Sequence, residues 1–364
     1  MQSNNINVLM ISYGRGTLYE NKAGVLDRHI EYASHFDSLD IIYLTKKKFD
    51  NTNYGKLNII PIYGISYLIC LLKAIFRDVK TYQVVTTQDP FITGILGLFY
   101  KKRFGLKLHI QNHSNFIDNK YWIKENRLIH SILNFIAKKL IIPNADRLRV
   151  VNSFEKQIYI DKLKIPKSKI DIAPIAVNPI FSSKVSKSEI TIFLQQYGIE
   201  KNKFIIGWAG RFVRLKRIDY LFELVSSIKK KIDFQLVLAG DYKNSEFDLK
   251  YLENKYSIKP ILLGHLAPNE LVKFYHAIDT FVLTSEYEGY GMVVSEAISS
   301  GTPVLISNKS KGPKDIIIEG SNGYFFSDKV DFKSKINLLS KKNFFVNKKD
   351  TKVINAIQSI KKSL

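Results

Sequence analysis

Between Phe281 and Ile306 the chain reads FVLTSEYEGYGMVVSEAISSGTPVLI, an order of residues that few folds accommodate. Phe281-Val282-Leu283 is a short apolar run suited to a buried strand. Gly289 and Gly291 then break the chain. Met292 to Ser300 has helical character, Gly301 stands where a helix C-cap is expected, and Pro303 opens a second apolar run. A strand, a glycine-bearing loop, a helix and a second strand make one turn of a parallel α/β sheet. The first N–H groups of such a helix have no intrahelical partner and sit at the positive end of its dipole, so the preceding loop can hold phosphate or sugar oxygens. Two acids frame it. Glu288 lies in the loop and Glu296 about one turn into the helix. Carboxylates suit sugar hydroxyls, because they only accept and each hydroxyl can donate.

The same pattern recurs along the chain. Asn7 to Ser12 is a first strand, Lys22-Ala23-Gly24 precedes a helix over Val25 to Phe36, and Asp40 to Leu44 is the next strand. Val84-Val85 opens another strand that ends at Gln88-Asp89-Pro90, with a helix over Phe91 to Tyr100. Lys107 to Ile110 is a strand running into the polar loop from Gln111 to Phe116. In open α/β sheets the carboxyl ends of strands are where ligands sit, which draws attention to His113. Tyr121 to Ala145 reads as one long helical region. A strand over Leu148 to Val151, a helix capped by Ser153 and a strand over Lys169 to Ile175 complete the first half. The second half restarts with a strand over Phe204 to Ala209 and the loop Gly210-Arg211-Phe212-Val213-Arg214-Leu215-Lys216-Arg217, which gathers four cations between a strand and a helix. Arginine's planar fork and lysine's mobile charge both suit phosphate oxygens. Strands over Phe234 to Ala239 and Pro260 to Leu263 end in Gly240-Asp241 and Gly264-His265-Leu266.

These residues resemble the donor-site signature of retaining GT-B glycosyltransferases, specifically the large family 4. Its usual form is Glu-Gly-(Phe/Tyr)-Gly, a short gap, Glu-Ala, then Gly-x-Pro-Val. Here it stands as Glu288-Gly289-Tyr290-Gly291, Glu296-Ala297 and Gly301-Thr302-Pro303-Val304. The family's Gly-Arg, spacer, Lys-Gly pair is matched by Gly210-Arg211 and Lys216, with Arg217 in place of the usual glycine. Its Gly-Gly before the first helix is Ala23-Gly24 here. An acid common soon after the first-half histidine is replaced by Asn115, and the interdomain passage carries Ala176 where a glycine is usual. Lys311 to Ile317 resembles the Gly-x-x-Glu-Ile segment, with Asp315 for the glutamate. The resemblance covers residues 200 to 326 strongly and 1 to 180 weakly.

The resemblance implies a GT-B fold: two Rossmann-like domains facing each other across a cleft. We expect residues 1–181 to form the acceptor-side domain and 182–345 the nucleotide-sugar domain. Residues 346–364 are expected to form a C-terminal helix that crosses back to the first domain. It implies transfer of a sugar from a nucleotide-diphosphate-sugar to a glycan or lipid-linked acceptor with retention of configuration. The catalytic set is then His113, Arg211, Lys216 and Glu288. The donor contacts are Gly24, Gly210, Leu266 (through its main chain), Gly289, Tyr290, Gly291 and Glu296. No cofactor or metal is expected, because Arg211 and Lys216 can neutralise the leaving diphosphate and no Asp-x-Asp pair stands in a cleft loop. A sugar-nucleotide epimerase of the same fold is an alternative, although it typically lacks the Glu288/Glu296 signature. An inactive scaffold homologue is a further alternative, opposed by the intact Arg211, Lys216, Glu288 and Glu296.

A formal net charge of +22 invites a nucleic-acid or membrane partner. Residues 1–180 carry 26 Lys/Arg against 14 Asp/Glu and the rest 29 against 19. The excess is therefore spread over both halves, whereas a nucleic-acid-binding module would concentrate it. No aromatic stacking platform for bases is visible either, so we expect no nucleic-acid partner. Tyr67 to Lys80 and Trp122 to Lys139 interleave apolar, aromatic and basic residues, a pattern that suits an anionic membrane interface and equally suits helix packing. The apolar runs at Tyr67 to Phe76 and Phe91 to Tyr100 are too short to span a bilayer. The start lacks a basic segment followed by a long apolar core. A single cysteine, Cys70, rules out an intrachain disulfide. The expected location is the cytoplasm, peripheral on the inner membrane face.

Overall fold

The computed structural model describes residues 6–14, 16–20, 24–113, 116–117, 119–341, 346 and 354–362. Ala23, Asn115 and most of 342–353 lie outside the described residues. The chain forms two compact units, Met1–Ala176 with Lys352–Leu364, and Val177–Thr351.

The first unit is built on β1 (Asn7–Gly14), α1 (Val25–Ser34), β2 (Ser38–Thr45), β3 (Thr52–Tyr54), β4 (Leu57–Tyr63), α2 (Tyr67–Ile75), β5 (Val84–Thr87), α3 (Ile92–Phe104), β6 (Lys107–Gln111), α4 (Lys120–Glu125), α5 (Arg127–Ile136), β7 (Arg147–Val150), α6 (Ser153–Leu163) and β8 (Ile170–Ile172). Its strands lie in the order β3-β4-β2-β1-β5-β6-β7-β8, parallel except for the antiparallel β3–β4 edge pair. Alternate residues of β1 face opposite layers. Leu9 and Ile11 pack under α2, α3 and α6, while Val8 and Met10 pack against α1. Both faces are covered, which is what an interior parallel sheet requires.

The C-terminal helix (Ile354–Lys361) belongs to this unit. Ile357 and Ile360 are buried in the α1-side layer. Ser359 reaches the sheet: its hydroxyl lies 3.1 Å from His109 Nε2 and donates to Asp171 Oδ2 at 3.0 Å. His109 also meets Thr86 Oγ1 at 2.8 Å, and burial pushes its pKa down to about 3, so it is a neutral hydrogen-bonding post.

The second unit contains α7 (Lys187–Gln196), β9 (Phe204–Ala209), α8 (Ile218–Ser226), β10 (Phe234–Ala239), α9 (Leu249–Tyr256), β11 (Ile261–Gly264), α10 (Pro268–Ala277), β12 (Thr280–Leu283), α11 (Met292–Ser299), β13 (Val304–Ser307), β14 (Gly323–Phe326) and α12 (Lys329–Lys341). All six strands are parallel, in the order β11-β10-β9-β12-β13-β14. This is the doubly wound dinucleotide-fold order, with its switch point between β9 and β12.

Several elements differ from the sequence expectation. The region from Tyr121 to Ala145 is not one helix. Asn126 caps a new helix by accepting from Ile129 N at 3.3 Å, Ala137–Ile141 widens into a π turn, and Pro143 belongs to a final 3-10 turn. A β3–β4 hairpin stands where the sequence reading places no strand, and its turn uses Gly55 at φ 67°. The units part at Ala176/Val177, short of Phe181. Phe181 packs edge-on to Tyr275, and its carbonyl accepts from Ser300 Oγ at 3.0 Å, which attaches it to the second unit.

Ile360→Ala is expected to destabilise the first unit by about 2–5 kcal/mol, the cost of a large-to-small change in a packed core. With Trp208 replaced by Phe, Trp122 is the remaining tryptophan, and its urea transition should move to lower urea.

Candidate functional site

The loops leaving β9 and β12 at the switch point are tied together. Thr284 Oγ1, just past β12, donates to the carbonyls of Lys216 and Arg217 at 3.0 and 2.9 Å, and Glu286 N donates to Leu215 O at 3.0 Å. The β10 loop joins them: Glu246 N donates to Phe212 O and Arg214 N to Glu246 Oε2, both at 2.8 Å. The three loops enclose a cavity of about 480 Å³, lined by Gly210, Arg211, Phe212, Gly240, Asp241, Asn244, His265, Leu266, Val293 and Glu296 among others. That volume is within the range of small-molecule sites.

Two glycines make the cavity floor possible. Gly240 has φ 141°, and a Cβ there would lie 2.0 Å from Gly210 O. Gly210 has φ 156° and passes over the Trp208 ring. At the helix entrance, Gly291 is the left-handed N-cap of α11 (φ 91°), and Gly312 packs so closely that its Cβ would meet the carbonyls of Glu288 and Gly289. Gly301 (φ 89°) ends α11, and Thr302 N donates to Ala297 O at 2.9 Å.

The candidate residues separate into three groups. Arg211, Gly210, Leu266 and Glu296 line the cavity, with Arg211 exposed to it. Lys216 and Glu288 form an ion pair beside it: Lys216 Nζ to Glu288 Oε1 is 2.5 Å, and Ser285 Oγ donates to the same oxygen at 2.8 Å. Gly289, Tyr290 and Gly291 form the turn before α11. The Tyr290 side chain is buried.

His113 and Gly24 belong to the first unit. Gly24 is the left-handed N-cap of α1 (φ 65°). His113 follows β6, and its Nε2 lies 3.0 Å from Gln88 Oε1 at the end of β5. Burial, then the charges of Arg149, His29 and Arg28, hold its pKa down to about 3, so it is neutral at physiological pH. Next to it Asn112 donates to the buried Glu155 carboxyl, whose pKa burial raises to about 8.

Arg217, which stands where the resembled family has glycine, adopts φ 50° and ψ 51°. A non-glycine residue in this region carries on the order of 1 kcal/mol or more of strain. Its guanidinium is anchored on Glu286 at 2.7 Å and Asp219 at 3.1 Å. Sequence reasoning did not single out Glu286, Ser285, Asn244 or Tyr275. For Ser285 a signal existed, since Ser-x-x-Glu spacing lets the hydroxyl reach the acid; Tyr275 reads as an ordinary core aromatic.

Glu296 projects from the same face of α11 as Val293. Tyr275 OH donates to its Oε2 at 3.0 Å. Burial raises the Glu296 pKa above its ordinary value, and the tyrosine bond opposes that rise. Among the described residues no group of three His, Cys, Asp or Glu side chains lies together as a metal site.

Two doubly wound parallel-sheet units, one with a cavity at its switch point between a cationic loop and a helix N-terminus, define the GT-B fold class. Residues 189–359 match the family model Glycosyl transferases group 1. It is 31% identical over 161 residues to an uncharacterized glycosyltransferase of Methanocaldococcus jannaschii, covering 43% of this chain and 41% of that protein. It is 27% identical over 303 residues to the Escherichia coli UDP-Gal:alpha-D-GlcNAc-diphosphoundecaprenol alpha-1,3-galactosyltransferase, covering 82% and 74% of the two chains. The structure of sucrose-phosphate synthase from Thermosynechococcus elongatus superimposes with a TM-score of 0.71 at 18% identity, covering 98% and 94%. The chain thus spans well under two thirds of the first of these relatives.

Gly240→Ala should close the cavity floor, because a carbonyl rather than a mobile side chain opposes the new Cβ. We expect loss of nucleotide binding by calorimetry and a destabilisation above about 1 kcal/mol in thermal unfolding.

Proposed function

We propose that the protein is a retaining glycosyltransferase of the family 4 type. It takes a sugar from a nucleoside-diphosphate-sugar held in the second unit and passes it to a glycan or lipid-linked acceptor. The observation that carries this reading is the cavity at the second switch point, which sets Arg211 and Glu296 on one wall system. An arginine and a carboxylate suit the two ends of a nucleoside diphosphate, the pyrophosphate and the ribose diol. The name of the E. coli relative, with a UDP-sugar donor and a diphosphoundecaprenol acceptor, supports the substrate classes.

In the proposed reaction the C1–O bond to the β-phosphate breaks, and the acceptor oxygen bonds C1 on the same face. The acceptor proton passes to the departing phosphate oxygen, giving a glycoside and a nucleoside diphosphate. No protein base is then required. Charge grows on the diphosphate as the bond breaks, and fixed cations aimed there lower the barrier. Arg211 is assigned that work directly. Lys216 contributes from its pair with Glu288, which holds the ammonium in place. Glu288 and the turn Gly289-Tyr290-Gly291 at the α11 N-terminus suit sugar hydroxyls and phosphate oxygens. With Arg211 and Lys216 supplying positive charge, the reading needs no metal. His113, being neutral, would serve as a hydrogen-bonding group rather than a cation, and Gly24 would let the α1 N-terminus approach the donor.

Arg211→Ala is expected to cut turnover on the order of 100-fold or more. The assay is nucleoside-diphosphate release from UDP- and GDP-sugars, with and without lipid-linked acceptors. Wild-type rates in the variant would remove the phosphate role.

We also propose that the first unit docks on the anionic inner face of the cell membrane, in keeping with a lipid-linked or surface-glycan acceptor made in the cytoplasm. No described helix is long and apolar enough to cross a membrane. The support is on the α2–α5 layer. Phe76 is 87% exposed, and Leu68, Leu72, Leu128, Ile132 and Phe135 are exposed too. Lys73, Arg77, Lys124, Arg127 and Lys139 are exposed among them. Each such cation near an anionic surface contributes about 1 kcal/mol. Co-sedimentation with vesicles should require anionic lipid and fade from low to high salt. Protein left in the supernatant at low salt would overturn the docking and favour a soluble acceptor.

A further inference from the structure

Tyr275 lies on α10 with its side chain fully buried. Its ring is packed among Phe181, Phe274 and Phe281. Its backbone carbonyl is fixed by Thr302 Oγ1 at 2.5 Å, so both ends of the residue are held. A tyrosine hydroxyl in such surroundings is costly without a partner. Its partner is Glu296 Oε2 at 3.0 Å, on the wall of the nucleotide cavity. The two residues are 21 positions apart and come from different helices.

We propose that Tyr275 is a positioning residue for nucleotide recognition: its hydroxyl holds one oxygen of Glu296 so that the other is presented to the ribose diol. A phenol that donates into one carboxylate oxygen fixes the plane of the group. It also stabilises the charged form, which is the better acceptor for two hydroxyl donors. The inference rests on the reading of Glu296 as the ribose contact and adds how that contact is set. It makes ribose recognition depend on a residue that touches no ligand, and it predicts the same effect for any base.

Burial raises the Glu296 pKa and the Tyr275 bond lowers it. Nucleotide affinity should therefore fall as pH drops through that raised pKa. Without the hydroxyl the midpoint should lie at higher pH.

The test uses the full chain and isothermal titration with UDP and GDP, and with the 2′,3′-dideoxy form of whichever binds more tightly. Phenylalanine fills the same volume, so Tyr275→Phe should keep the packing, checked by thermal unfolding. We expect a roughly 3- to 10-fold loss of affinity, the size of one hydrogen bond. Discrimination between the ribose and dideoxy forms should shrink, and the pH midpoint should rise. In a Glu296→Ala background, Tyr275→Phe should cost nothing further, whereas a merely structural tyrosine would cost the same in both backgrounds. An unchanged midpoint and unchanged ribose discrimination in Tyr275→Phe would overturn the positioning role. If Glu296→Ala itself keeps full ribose discrimination, the ribose reading of Glu296 fails instead.

Discussion

The second unit is organised by a single topological constraint. β9 pairs with β10 on one side and with β12 on the other. The connections from β9 and β12 leave for opposite faces of the sheet, so a gap opens between their carboxyl ends. Much of the candidate site in the second unit hangs on the rim of that gap. The β9 loop supplies Arg211 and Lys216, and the β12 loop supplies Glu288 and the start of α11. Thr284 holds the two loops in register by donating to two successive carbonyls of the first from the start of the second.

Closeness at that rim comes from missing side chains. Gly240 abuts the Gly210 carbonyl, and Gly312 abuts the Glu288 and Gly289 carbonyls. Arg217 shows what happens where glycine is absent. The backbone still adopts the left-handed conformation, and two acids hold the guanidinium that comes with it. The strain is tolerated because Asp219 and Glu286 anchor the side chain on either side, and Glu286 is itself tied to Leu215 through its backbone. Lys216, the next residue back, is thereby placed to meet Glu288.

The parallel α/β class of both halves was legible because interior strands are apolar runs that end in glycine or polar loops, as at Phe204–Ala209 and Phe281–Leu283. The β3–β4 hairpin was not, because Thr52–Tyr54 is a short polar edge strand without a buried face. The breaks in the region from Tyr121 to Ala145 were hidden by continuous apolar periodicity. A single cap at Asn126 and a π turn leave almost no mark on a pattern. In the site, residues of unusual type or spacing stood out: paired acids, clustered cations and glycines. Tyr275 did not, since its role comes from a neighbour 21 positions away and its type is ordinary for a core. The pairing of Lys216 with Glu288 was equally invisible, because both appear in the sequence as separate charges.

The helix at Ile354–Lys361 completes a layer begun by Val8 and Met10, and Ser359 finishes a hydrogen-bond chain through His109 and Asp171. Synthesis runs from the other direction. The strands of the first unit emerge from the ribosome early and wait, with the pocket for Ile357 and Ile360 open to water, while the whole second unit is made. The first unit to be translated is thus the last to have its α1-side layer closed.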